Sequence, residues 1–225
     1  MILIEKPKIE KAKKRGIKKP KKGGEPNEWT EYKLTSGVEF DARPELKDSL
    51  LKEQGYLCAY CMARIDKDHM KVEHFKPRSR YPDDTFTYGN LLACCQGKTQ
   101  GESHCDISKG NDEIKLSPLE PSCVDTLSYE SGTGAIKSSN EDYNHDLDTL
   151  NLNAHIIKQN RRDVLQGVIM ALQTAQKKTQ RGLEFNSSTI SHQLEIWRSV
   201  DEEGKRRPYC GIVIYFLEKK SKKRS

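Results

Sequence analysis

The sequence predicts an α+β protein, a small ββα core with α-helices around it that lie mainly on its C-terminal side. Three observations predict it. Two short apolar runs, residues 70–75 and 90–93, have strand length and flank the turn residues Tyr81-Pro82-Asp83-Asp84. From Asn153 to about Gln180, the apolar residues Ile157, Val164, Leu165, Val168, Ile169 and Leu172 recur at helical spacing. Only 34% of the 225 residues are apolar, which suits a modest core with much exposed helix.

Taken in order, residues 1–30 have neither a helical nor a strand period and are broken by Pro and Gly, so they read as a basic flexible arm. Residues 1–22 hold ten Lys/Arg against two Asp/Glu, and residues 218–225 hold five against one. The stretch between carries 24 basic and 30 acidic groups, so a chain of net charge +6 has a body at −6. Basicity confined to the two ends attracts polyanions without specificity, and the same composition also describes a solvated terminus.

A helix is expected from Arg43, with Pro44 at a first-turn position, Leu46, Leu50 and Leu51 on one face, and Gly55 as its stop just before Cys58. Residues 31–116 form the expected core, and residues 117–225 a mainly helical region with a small hairpin at 127–136 and a candidate partner-docking surface. Pro118 and Pro121 break any helix between the two. Asn153 is the expected cap of the long helix, whose stripe reads as a packing face. Arg161 and Arg162 beside that stripe have no assigned role. Another helix is expected around Ile190, Leu194 and Trp197, and the run from Ile212 to Leu217 fits helix or strand.

No apolar run approaches the roughly 20 residues of a membrane span, and the start of the chain lacks the apolar stretch of a secretory signal. A cytoplasmic protein with no membrane partner is expected. In such a compartment Cys58-Ala59-Tyr60-Cys61 points to metal or redox chemistry and away from disulfides. Structural zinc wants four ligands, usually two cysteine pairs from separate points of the chain. Cys58 and Cys61 supply one pair, and the other comes from Cys94, Cys95 and Cys105, with Cys95 and Cys105 preferred. Cys94 is then a small buried residue, and Cys123 and Cys210 show no partner spacing.

Between the pairs lie Glu73, His74 and Asn90. In an extended segment Glu73 and His74 point to opposite faces, so one can hold a cation while the other acts as a base. His69, His145, His155 and His192 lack such company and read as structural.

The succession Cys-x-x-Cys, Glu-His-Phe-x-Pro-Arg (residues 73–78), Asn-Leu-Leu-Ala-Cys-Cys (90–95) and His-Cys-Asp-x-x-Lys-Gly-Asn (104–111) resembles the HNH endonuclease superfamily. More narrowly it resembles the HNH nuclease subunit of Septu antiphage systems, which also accompanies some retrons. That narrower likeness covers the leader from Gln54 to Cys61, the block to Asn111 and, loosely, Leu150-Asn151-Leu152-Asn153. The resemblance implies a zinc-stapled ββα-metal nuclease core that cuts DNA and leaves 5′ phosphates. It implies His74 as general base and Glu73 as a ligand of a catalytic Mg²⁺ or Mn²⁺. Asp106, where the superfamily commonly has Asn or His, becomes the second ligand, with His104 as the lower-ranked alternative. Asn90 would hold the metal loop in register and orient His74, and Lys109 would contact the scissile phosphate. It also implies an ABC or SMC-like ATPase as partner and, in a retron setting, a reverse transcriptase with its DNA. Because such a site acts on the backbone, phage DNA, host DNA, tRNA and retron DNA all fit as substrates.

Two other readings use less of the sequence. A zinc-ribbon module that binds nucleic acid or protein needs the cysteines but not Glu73, His74 and Asp106. A homing or restriction enzyme needs a base-reading element, and residues 112–225 contain nothing that resembles one.

Overall fold

The computed structural model describes residues 1–6, 42–85, 87–178 and 187–222. Most of the expected basic arm lies outside these residues. Its first six belong to the folded body: Met1 and Ile4 are buried, and the Ile4 N–H donates to the Pro118 carbonyl at 2.8 Å. Lys6 pairs with Glu53 at 3.4 Å and stands 4.1 Å over the Tyr88 ring.

Helix α1 (Ala42–Glu53) turns Leu46, Leu50 and Leu51 inward. It ends as the sequence suggests, with Gly55 at φ +59° and the Tyr56 N–H reaching back to the Leu51 carbonyl at 2.8 Å. A Cβ on Gly55 would stand 2.5 Å from Cγ of Arg206, so glycine is required there twice over. Buried Gln54 then ties the helix end to the sheet. Its amide nitrogen donates to the Leu57 and Ala93 carbonyls, and its oxygen accepts the Ala93 N–H, all at 2.8 Å.

Strands β1 (Met70–His74) and β2 (Leu91–Cys95) pair antiparallel, with Glu73 opposite Leu92 and His74 opposite Leu91. A small hairpin, β3 (Lys98–Thr99) and β4 (Glu102–Ser103), leads into the one-turn helix α2 (Asp106–Lys109). Pro121 opens a short helix α3 (Pro121–Val124), and the expected hairpin follows as β5 (Leu127–Tyr129) and β6 (Ile136–Ser138).

Helix α4 (Glu141–Thr149) is an element that the sequence reading did not anticipate. Its start signal is ordinary: the Asn140 side chain accepts the Asp142 N–H at 3.0 Å, and Glu141 and Asp142 sit in the positive first turn. Helices α5 (His155–Lys178), α6 (Ser187–Arg198) and α7 (Cys210–Lys222) complete the described chain, and the ambiguous run from Ile212 is helical. Asn153 does not cap α5, as the sequence suggested. Its amide pairs with Ile136 instead, accepting from the backbone N–H at 2.9 Å and donating to the carbonyl at 3.0 Å, as a neighbouring strand would. Backbone groups at a sheet edge need partners, and that demand outweighs a cap that the chain can do without.

The interior runs from the Leu57–Met62 knuckle to Ile157, Leu165 and Leu172 of α5 and Ile212, Val213 and Leu217 of α7. Small antiparallel sheets carrying segregated helices make this an α+β fold. Among the described residues no helix is long and apolar enough to cross a membrane.

Candidate active site and metal centre

The sulfurs of Cys58, Cys61, Cys95 and Cys105 all lie within 4.8 Å of one another. Cys58 and Cys105 are 3.9 Å apart, and Cys61 and Cys95 3.8 Å. A tetrahedral ion with Zn–S bonds of about 2.3 Å needs ligand edges of about 3.8 Å, so the cluster has the size and donor set of a structural zinc site. Cys94, fully buried, is not one of the four; strand alternation turns it to the other face of β2 from Cys95. A hydrogen bond from Cys105 is the leading influence that pulls the Cys95 thiol down to about 6, which favours the thiolate that a metal requires.

His104 belongs to this cluster and not to the carboxylate site. Its Nδ1 is 3.3 Å from the Cys105 sulfur and 3.8 Å from that of Cys95, and its Nε2 is 3.2 Å from Thr99 Oγ1. Its place as an alternative to Asp106 therefore finds no support in the geometry.

Cys105 leads directly into α2, and that single turn carries Asp106 and Lys109 on one face, three residues apart. Both reach Glu73. Lys109 Nζ donates to Glu73 Oε1 at 2.6 Å and to the His74 carbonyl at 3.1 Å. Burial first, and then the adjoining Asp106 carboxyl, push Glu73 up to about 8, outweighing the ammonium that pulls the other way. A buried carboxyl and a half-buried one, side by side with a single ammonium between them, are hard oxygen donors that fit a divalent cation such as Mg²⁺ or Mn²⁺. Lys109 is only 2% exposed. Its ammonium is turned to Glu73 and the His74 carbonyl.

His74 is positioned by the loop between β1 and β2. Its Nε2 lies 2.9 Å from the Thr85 carbonyl, which can only accept, so Nε2 carries the proton and Nδ1 the lone pair. Burial is the leading cause that lowers its pKa, keeping the ring neutral near pH 7. Asn90 fixes that loop. Its Oδ1 accepts the Lys76 N–H at 2.7 Å, and its Nδ2 donates to the Lys76 and Asp84 carbonyls at 3.1 Å each. Asp84 immediately precedes the residue that holds the imidazole.

The sequence reading passes over Tyr60, which sits between two of the clustered cysteines with none of its surface exposed and donates to Glu73 Oε1 at 3.1 Å. A phenol inside a cysteine knuckle is a signal only once the knuckle is known to face a carboxylate.

Fold and site together define a small α+β protein in which a four-cysteine cluster, able to hold a metal ion, leads through Cys105 into the turn whose Asp106 and Lys109 meet the buried Glu73 carboxyl. No protein-family model matches the chain. It is 33% identical over 101 residues to Septu protein PtuB of Bacillus thuringiensis, covering 44% of this chain and 37% of that one. It is 33% identical over 88 residues to "Retron Vc95 putative HNH endonuclease" of Vibrio cholerae serotype O1 biovar El Tor, covering 38% and 43%. With "Retron Ec83 putative HNH endonuclease" of Escherichia coli, identity is 35% over 85 residues, covering 31% and 33%. The chain spans about two fifths or less of the length of these curated relatives, and over the matched part it is a homologue of Septu PtuB and of the retron proteins.

Proposed function

We propose that this chain is a metal-dependent HNH endonuclease, built on a zinc-stapled ββα-metal core, that hydrolyses phosphodiester bonds of DNA as the effector of an antiphage defence complex with an ABC or SMC-like ATPase. The observation that carries the reading is the buried Glu73 carboxyl, pushed up by burial and by the adjoining half-buried Asp106, next in sequence to His74, whose Nε2 is held by the Thr85 carbonyl. The likeness to proteins named for Septu and retrons supports the defence setting, and a retron reverse transcriptase with its DNA is the corresponding partner there.

Glu73 and Asp106 would hold Mg²⁺ or Mn²⁺, which when bound supplies positive charge to the phosphate and the departing 3′ oxygen. Nδ1 of His74 takes a proton from water as the water oxygen attacks phosphorus. The P–O3′ bond then breaks and leaves a 5′ phosphate. Asn90 acts as a positioning residue, since it fixes Asp84 and thereby the Thr85 carbonyl that orients the ring. Tyr60 and Lys109 hold the Glu73 carboxyl.

The test is cleavage of plasmid and linear DNA with Mg²⁺ or Mn²⁺, by the protein alone and with a co-encoded ATPase where one is present. His74→Ala is expected to lower the rate by roughly 10²–10⁴-fold, the usual worth of a general base, with fold and metal content retained. Equal cutting by the variant would remove His74 from the chemistry. Failure of the intact protein to cut under every condition would leave a zinc-ribbon binding module.

A further inference from the structure

Arg161 occupies an interior position of α5, four residues from Ile157 and four from Leu165, with none of its surface exposed. Its Nη1 donates to the Leu152 carbonyl at 2.8 Å and the Gly134 carbonyl at 3.3 Å. Nε and Nη2 have no hydrogen-bond partner, and among the described residues it forms no ion pair. A guanidinium cannot shed its charge in a protein, and a buried charge without compensation is among the costliest things that a core can hold. Something nearby must be negative.

The neighbourhood offers two kinds of group able to oppose the charge, the phenols of Tyr129 and Tyr209 and the thiols, beside the Met1 amino group, which donates to the Tyr129 hydroxyl at 2.6 Å and is no counter-charge. The Tyr129 ring lies under the guanidinium at 5.9 Å, but its phenol is pushed well above neutral pH by burial and gives only a ring face. The other is the cysteine cluster. The Cys105 N–H donates to the Leu150 carbonyl at 2.8 Å, and Arg161 binds the carbonyl two residues on, so one short turn joins ligand and cation. From the other side, Asn160 donates to the Tyr209 hydroxyl at 2.9 Å, and the Tyr209 N–H donates to the Met62 carbonyl at 3.0 Å, next to Cys61. Burial lowers the Arg161 pKa, and Tyr129, Cys61 and Cys105 oppose that fall.

We propose that the zinc tetrathiolate is the counter-ion of Arg161. Four thiolates around Zn²⁺ carry a net charge of −2, and the buried guanidinium returns one positive charge to that centre from the helical layer. The proposal rests on the zinc reading above and extends it: α5 is joined to the metal knuckle by charge, so metal and C-terminal layer hold each other in place.

The experiment measures zinc retention against a chromophoric chelator at fixed pH, and thermal midpoints of zinc-loaded and zinc-stripped protein, for the intact chain, Arg161→Met and Arg161→Lys. Arg161→Met should retain zinc about tenfold less tightly, the worth of one unit of opposite-charge stabilisation. Arg161→Lys, which keeps the charge, should stay near the intact protein. The midpoint of the loaded form should fall with Arg161→Met while that of the stripped form rises, because stripping leaves the arginine uncompensated; where the stripped form shows no transition, retention decides. Equal retention, or shifts of one sign in both forms, would overturn the proposal. If Arg161→Met does not fold even with zinc, Arg161→Lys decides, its failure in the same way assigning Arg161 a shape role. An intact protein that carries no zinc overturns the zinc reading itself, and the proposal with it.

Discussion

Glu73 is 5% exposed and meets an ammonium at 2.6 Å, yet it titrates near 8 because desolvation and Asp106 together exceed that one attraction. The sign of the consequence follows from linkage. Between its ordinary value of 4.5 and about 8, the cation-free folded protein holds a proton that the unfolded chain releases. This contribution to stability is full below about 4.5 and is lost as pH rises through about 8, by at most ~1.4 kcal/mol per pH unit. His74, with a lowered pKa, works the other way at more acid pH. The difference in melting temperature between the intact protein and Glu73→Gln, measured across pH 5–9 with zinc present and no other divalent cation, is expected to isolate the carboxyl, and added Mn²⁺ should flatten it. Tyr60→Phe removes one donor to the same oxygen. It is expected to keep zinc and fold and to lower cleavage about fivefold, the worth of roughly 1 kcal/mol, which steady-state rates and metal content would check. These residues differ in how legible they are from sequence. Glu73 and His74 stand out by adjacency within a known pattern, whereas nothing in the sequence joins Lys109 to Glu73, 36 residues away, and only the packing of α2 does so.

Elements that obey local chemistry can be read, and those decided by distant partners cannot. The end of α1 is legible because Gly55 meets a backbone requirement that no other residue satisfies. Two asparagines show the opposite. Asn140, immediately before Glu141, caps α4, whereas α5 starts at His155, one residue later than the sequence suggests, and Asn153 is claimed by Ile136 of β6. The sequence does not show that partner, since it lies 17 residues away in the chain. The turn between β5 and β6 yields a direct test. A Cβ on Gly134, at φ +75°, would lie 2.1 Å from the Lys158 carbonyl of α5. Gly134→Ala is expected to destabilise the protein by about 2 kcal/mol or more in chemical denaturation. Gly132→Ala, where nothing lies within 4 Å, should cost only about 0.5 kcal/mol or less.

At the scale of the molecule, the helical layer faces two ways. Inward, α5 supplies Arg161 and a stripe of apolar residues; outward it leaves Met170 64% exposed, and Val200 after α6 is 49% exposed. Large apolar residues on a body with more acidic than basic groups suit association with a protein better than with DNA, whose phosphates demand a basic face. Met170→Glu is therefore expected to weaken co-purification with the proposed ATPase partner at least tenfold without changing the metal content; unchanged association would place that partner elsewhere. The adjacency of Cys105 and Asp106 bears on how any such nuclease is handled at the bench. On the proposed function, one reagent would empty both centres: a strong chelator that takes a catalytic cation would also take the zinc that shapes the turn presenting Asp106. Inhibition by EDTA would thus say nothing about which metal the chemistry uses. Only titration of Mg²⁺ or Mn²⁺ at constant zinc occupancy separates a missing reactant from a collapsed scaffold.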